Sequence, residues 1–294
     1  MQDWGISQVC WGHFYLDGGS MFGIVPRAIW SRLIQPDEEN GICMALRSLL
    51  LRRTEPGSSG TGRPGGASGG RNVLVDCGIW PAFPQKLRDA VYRVHQPDMH
   101  RTLAEQAGIG PGEVTDVVAT HLHFDHVGGL AREVEGNLVP TFPEARVHVQ
   151  RRQLEWACSA SVKDRGSYVP KMVELIAGLP GLVVHDGPYD LDEGVRVEVA
   201  DGHTPGMQIV HATCGGSHFI HAADMVPSSA HVPIPYVMAF DLEPLKTVAE
   251  KESLFSAWPG AVYFFMHDPD HPFWMLSRTE KGWQRGARWA SRGP

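Results

Sequence analysis

The chain lacks the marks of a protein that grips nucleic acid. Lys and Arg number 26 against 33 Asp and Glu, a formal net charge of −7, and no five like charges stand together. Nucleic-acid binders generally carry a basic footprint, so no nucleic-acid partner is expected. Its longest apolar stretches are of strand length, far below the ~18 residues a membrane helix needs, so no membrane partner is expected either. The opening Met1-Gln2-Asp3-Trp4-Gly5 has no basic segment followed by an apolar one, the mark of a secretory leader. Cysteine is sparse: Cys10, Cys43, Cys77, Cys158 and Cys214 are odd in number and show no CxxC spacing. That usage fits reduced thiols in a cytoplasmic protein. No repeat of solenoid period is visible.

What the chain does have is concentrated in one stretch. Residues 120–129 read Thr-His-Leu-His-Phe-Asp-His-Val-Gly-Gly, placing His121, His123, Asp125 and His126 within six positions. Neutral imidazole and carboxylate are the donors preferred by Zn²⁺ and similar borderline ions. With 114–120 as a strand, side chains 121 and 123 share a side by its period of two. The chain then turns, so Asp125 and His126 face the same space from a second direction, and one loop can serve two adjacent metals.

Further donors are needed, and three sites offer them. His203 lies in Gly202-His203-Thr204-Pro205-Gly206 after the alternating run 195–199. Asp224 follows the strand-like 217–221, where a carboxylate is costly unless paired or metal-bound. His267 ends the apolar run Tyr263-Phe264-Phe265-Met266. Asp76, before Gly78 at another strand end, reads from the residues alone as a turn aspartate.

Strands are expected near 9–16, 42–53, 72–76, 114–120, 146–149, 182–185, 195–200, 207–213, 217–223 and 261–266. Helices are expected near 84–95, 99–107, 150–160, 168–178 and 243–257. Strands interleaved with helices indicate an α/β class. The donors spread from 121 to 267, so one domain covering 1–294 is expected. Gly57 to Gly70 contains little that can be buried, and reads as a flexible loop between two strands that need each other as sheet neighbours. It lacks the GxxxxGK[ST] arrangement of a phosphate-cradling loop.

The order HxHxDH, then GHTPG, then a strand-end Asp, then a strand-end His resembles the metallo-β-lactamase-fold hydrolase superfamily, on its glyoxalase II and quorum-quenching lactonase side. The resemblance runs from about residue 70 to 270. It implies a four-layer αββα sandwich with the metal ligands on loops at one edge. By the same resemblance His121, His123 and His203 hold a first divalent ion, Asp125, His126 and His267 a second, and Asp224 bridges them; the strand-end Asp76 then becomes a candidate to orient a ligand histidine, with the turn role as the alternative. Zn²⁺ is the first choice for both, with Fe, Mn, Co or Ni as alternatives.

The chemistry so implied is hydrolysis by a hydroxide shared between the ions, with Asp125 returning a proton to the leaving group. The expected substrate is a small lactone or carboxylic ester. A phosphoesterase, including an organophosphate triesterase, is the rival on the same metal pair; a mononuclear iron persulfide dioxygenase is the rival of another class. A homodimer is compatible with the chain. Met21, Phe22 and Trp30, in a glycine-hinged apolar segment, are candidate substrate-pocket residues, with core packing as the alternative. Many acyl-homoserine lactonases place a tyrosine three positions after the bridging Asp; here that position is Pro227. His231 or Tyr236 is the candidate to take that role, with a structural use as the alternative.

Overall fold

Period-two burial builds the first sheet. Leu49 and Leu51 face one side of their strand while Leu46 and Leu50 face the other, all of them fully buried. The structure, a computed structural model, describes residues 4–53, 70–80 and 83–290. Residues 57–69 of the glycine-rich stretch lie outside the described residues. Strand β1 (Gly5–Asp17) leads through the short helices α1 (Gly18–Phe22) and α2 (Arg27–Trp30) to β2 (Gly41–Arg53). Strand β3 (Arg71–Val75) pairs antiparallel with β2, Leu49 opposite Val75 and Leu51 opposite Val73, so the two flanking segments are neighbours as expected. Helix α3 (Met99–Ala107), strand β4 (Asp116–Val118) and the one-turn helix α4 (Phe124–Val127) follow. After a hairpin of β5 (Ala131–Val134) and β6 (Asn137–Pro140) come β7 (Arg146–Gln150), α5 (Arg151–Cys158), α6 (Pro170–Ala177) and β8 (Leu182–His185). The sheet order is β1-β2-β3-β4-β7-β8, parallel from β3 onward.

The second sheet takes β9 (Tyr189–Asp192), β10 (Val195–Ala200), β11 (Met207–Cys214), β12 (Ser217–His221), β13 (Val262–Phe264), β14 (Phe273–Thr279) and β15 (Gly282–Arg288), in the order β15-β14-β13-β12-β11-β10-β9. Helix α7 (Pro244–Ala257) crosses from β12 to β13, which pair in parallel. Three apolar layers alternate with the two sheets. Val73, Val75 and Val118 meet Val197, Val210, Phe219 and Phe264 between the sheets. Leu74 and Val117 pack outward beneath Leu103, Met172 and Ile176 of α3 and α6. Ile209, Ile220 and Tyr263 pack outward beneath Leu254 and Phe255 of α7. The result is the expected helix–sheet–sheet–helix order in a mixed α/β fold.

The expected helix at 84–95 is instead a short π-helical turn, Leu87–Val91, followed by an extended segment hydrogen-bonded to β1. Leu87 and Val91 supply the helical periodicity, yet 38% and 51% of their surface stays exposed, so no packing partner rewards a longer helix. No helix among the described residues is long and apolar enough to cross a membrane.

Candidate metal centre

The donors sit where strands stop. His121 and His123 follow β4, His203 lies between β10 and β11, Asp224 follows β12 and His267 follows β13. The turn at α4 brings Asp125 and His126 back against the first two. Close contact behind it explains the Gly-Gly: a Cβ at Gly128 would stand 1.8 Å from the Trp80 nitrogen, and one at Gly129 2.0 Å from the Cys77 carbonyl oxygen. The Cys77 N–H also donates to the His126 carbonyl at 2.7 Å.

Hydrogen bonds behind the ligand shell fix the tautomers. His126 Nδ1–H donates to Asp76 Oδ2 at 2.9 Å, His203 Nδ1–H to Asp241 Oδ1 at 2.9 Å, and His267 Nδ1–H to the Ala45 carbonyl at 2.8 Å. Thr120 gives its O–H to Asp76 at 2.8 Å, so its oxygen accepts from His121 Nδ1–H at 3.0 Å. Each of these four histidines therefore turns an Nε2 lone pair toward one shared space. The Nε2 atoms of His267 and His126 face each other at 3.3 Å, and His203 Nε2 stands 3.2 Å from His123 Nδ1. The Nε2 atoms of His267 and His126, both left without a proton by those bonds, repel inside a buried site unless a cation lies between them, so the residues present fit a metal.

Carboxylates complete the shell. Asp224 reaches both histidine groups, Oδ1 standing 3.4 Å from His126 Nε2 and from His267 Nε2, and Oδ2 3.5 Å from His203 Nε2. Its buried Oδ1 has no hydrogen-bond donor. Asp125 Oδ2 stands 3.6 Å from His267 Nε2 and 3.8 Å from His126 Nε2. Three groups can each surround one ion: His121, His123 and His203; Asp125, His126 and His267; and His121, His126 and Asp224. Burial, reinforced by neighbouring imidazoles, holds His121 and His123 well below the usual histidine range, so both keep lone pairs to give. Burial acts the same way on His126, but Asp224, Asp125 and Asp76 outweigh it and lift that imidazole well above its usual value. Burial would raise the Asp224 carboxyl, yet His126 and His267 hold it well below the usual range. The shell is thus rich in negative charge and in lone pairs at once.

Side chains not singled out from the sequence hold the loops together. Gln153 accepts the Leu122 N–H at 3.2 Å and donates to the Pro205 carbonyl at 2.7 Å, tying the HxH loop to the GHTPG loop. The Tyr168 hydroxyl meets Thr204 at 2.9 Å, and its ring lies edge-on to His123. Lys163 donates to the carbonyls of Ala239, Phe240 and Asp241 at 2.9–3.1 Å. None of these has a sequence signal, since each partner is remote along the chain.

A cavity of about 240 Å³ opens over the donors, walled by Leu16, Met21, Tyr92, Phe124, Met238 and Phe240. His123, Asp125 and Asp224, at 6–7% exposure, are the donors least covered. Of the candidate pocket residues only Met21 lines this cavity. Phe22 is sandwiched between Trp30, at 5.2 Å, and His231, at 4.4 Å. Trp30 closes on Gly18. His231 is buried, accepting from Ser228 at 2.7 Å and donating to the Met21 carbonyl at 2.9 Å. Tyr236 packs edge-on to Phe22. These four buttress the wall from behind.

The family model described as "Metallo-beta-lactamase superfamily" matches residues 67–281. An N-acyl homoserine lactonase of Azorhizobium caulinodans is 30% identical over 175 residues, 55% of this chain and 61% of that protein. A ribonuclease of Thermus thermophilus is 30% identical over 165 residues, 54% of this chain but only 33% of its own length. The chain thus matches less than two thirds of either relative. Among solved structures, that of AidC, a dizinc quorum-quenching lactonase in complex with a product, superposes with a TM-score of 0.77 at 17% identity, over 99% of this chain and 97% of that one. With the motif order and the layered sheets, the match over residues 67–281 shows that the chain belongs to the metallo-beta-lactamase superfamily.

Proposed function

We propose that the protein hydrolyses a lactone or carboxylic ester of low molecular weight. His121, His123 and His203 would hold one divalent ion, and Asp125, His126 and His267 another, with Asp224 shared between them. Zinc is the ion that imidazole and carboxylate donors of this kind suit best. Two such ions supply Lewis acidity toward a bound oxygen and bring the pKa of water near neutrality.

The observation that carries the substrate class is the charge of the cavity. Lys163 is its one cationic side chain among the described lining residues, and all three of its protons are spent on backbone carbonyls. Beyond the ions themselves, an anionic phosphodiester would meet no free cationic side chain among the described lining residues. A neutral ester would meet Leu16, Met21, Phe124, Met238 and Phe240, which exclude water from the reacting bond. Asp125, open to the cavity, is the group to accept a proton on its carboxylate and return it to the leaving oxygen. The lactonase relative favours the same class, and the ribonuclease relative is the reason to test RNA directly.

The test pairs elemental analysis of freshly purified protein with a panel of lactones, esters, a phosphotriester and RNA. The expected result is close to two zinc-class ions per chain, with turnover of lactones or esters and none of RNA. Phosphotriester turnover alone would move the reading to the triesterase, whose neutral substrate suits the same uncharged walls. One iron per chain with no hydrolysis would overturn it in favour of the dioxygenase.

A further inference from the structure

The cavity over the donors is short of groups that can still give a hydrogen bond. Apart from the candidate metal ligands, its polar side chains among the described residues are Tyr92, Lys163 and Ser167. Lys163 is spent, as above. That leaves two hydroxyls. Tyr92 is the one placed against the segment carrying Asp125: its ring centroid lies 5.0 Å from that of Phe124, the residue between His123 and Asp125. Its phenol has no hydrogen-bond partner among the described residues.

The backbone is arranged to present that ring. The Tyr92 N–H closes the π-helical turn on Leu87 at 2.8 Å, and its carbonyl accepts from Tyr15 of β1 at 2.7 Å. The next residue, Arg93, is held at φ +43°, a left-handed conformation that residues other than glycine do not adopt without cost. It is pinned there by Asp37 at 2.6 Å and by stacking of its guanidinium 4.1 Å above the Tyr15 ring. This sharp reversal is where the segment turns from the π-helical turn to the flank of β1, and Tyr92 stands at its corner. Such outliers persist where the surroundings over-determine them, often at functional sites.

Resting on the hydrolytic reading above, we propose that Tyr92 is a catalytic residue whose phenolic O–H donates a hydrogen bond to the carbonyl oxygen of the scissile ester or lactone. As hydroxide adds to the carbonyl carbon, the π pair moves onto that oxygen and its charge grows. The bond from Tyr92 strengthens with it, and the proton stays on the phenol throughout. A donor aimed at developing charge acts on the transition state more than on the bound substrate. Loss of the hydroxyl should therefore lower kcat and leave KM nearly alone.

The experiment is Tyr92→Phe in the metal-loaded holoenzyme, beside Ser167→Ala, with metal content and Tm measured on the same samples. The expected result is a fall in kcat of about 100-fold, near the low end for loss of one such donor, with KM changed by less than about 3-fold and the metal retained. A second readout is calorimetric binding of a trifluoromethyl ketone analogue, which mimics the tetrahedral oxyanion, and of its methyl ketone parent. Tyr92→Phe should weaken the first by a similar factor and spare the second. An unchanged kcat, a rise in KM alone, a loss that metal reconstitution fully restores, or a loss found in Ser167→Ala and not in Tyr92→Phe would each overturn the assignment. A wild-type enzyme that turns over no lactone or ester would instead overturn the hydrolytic reading beneath it.

Discussion

At the scale of the residue, the position of one proton on each imidazole decides whether the site can take a cation. Asp76 shows how tightly that proton is placed. It is fully buried at φ +59°, and its two oxygens accept from the Thr120 N–H, the Thr120 O–H and His126 Nδ1–H at 2.8, 2.8 and 2.9 Å. In Asp76→Asn an amide NH₂ replaces one of those acceptors. Asn tolerates the same backbone conformation, so the change is electronic: with its Nδ1 facing a donor, His126 must move its proton to Nε2 and lose the lone pair it turns toward the donors. Metal affinity should fall about 10- to 100-fold, as when a partner behind a ligand histidine is lost. A competition titration against a chromogenic chelator reads this directly, and an unchanged affinity would refute the tautomer account. The sequence exposed the candidate donors because all seven are histidines or aspartates in turns flanked by glycine or next to apolar runs. It hid Asp241, Gln153 and Lys163, ordinary polar residues whose partners lie 31 or more positions away.

At the scale of the element, strands inside the sheets were legible because both faces are covered and their apolar residues run nearly unbroken. Strands β14 and β15 were not. They form the far edge of the second sheet, where Arg285 and Arg288 stack on Trp274 at 5.3 and 5.2 Å, and charged edge residues mask a strand's periodicity. Helix α7 carries the opposite puzzle, a lysine on its buried face with Thr247, Leu254 and Phe255. The solution lies in the proline-broken loop before it. Lys251 Nζ donates to the carbonyls of His231, Pro233 and Tyr236 at 2.7, 3.1 and 2.8 Å. His231 in turn holds the Met21 carbonyl, so the helix positions a cavity wall through this loop. Lys251→Met would keep the apolar stem and strand three buried carbonyls. At about 1–3 kcal/mol for each unsatisfied group, stability should drop by roughly 3 kcal/mol or more. Urea unfolding measures it; a loss below about 1 kcal/mol would mean the loop does not depend on this clamp.

At the scale of the whole molecule, histidines away from the donors link stability to pH. Burial, helped by His148, pulls His185 down to about 4. Burial and His218 pull His211 to about 4. Burial pulls His231 to about 3, with Lys251 adding to it and the bond to the Met21 carbonyl opposing. All three have folded values below the unfolded value of 6.5, so the unfolded chain binds more protons between the two. Their contribution to stability is therefore fully present above pH 6.5 and is lost as pH falls from there toward about 3–4. Asp116 prolongs the decline: although burial opposes it, His148, Thr115 and Arg71 hold its carboxyl well below the usual range, so its share is lost at still lower pH. His231 is fully buried and gives the cleanest probe. Urea midpoints of wild type and His231→Gln, taken at pH 7 and pH 4.5 in excess chelator, remove any contribution from bound metal. Glutamine keeps a donor for Met21 and an acceptor for Ser228 but cannot titrate. The variant should start less stable at pH 7 and lose less on acidification, by on the order of 1.4 kcal/mol per pH unit crossed below the unfolded value. Parallel losses in the two proteins would show that His231 does not carry this part of the pH dependence.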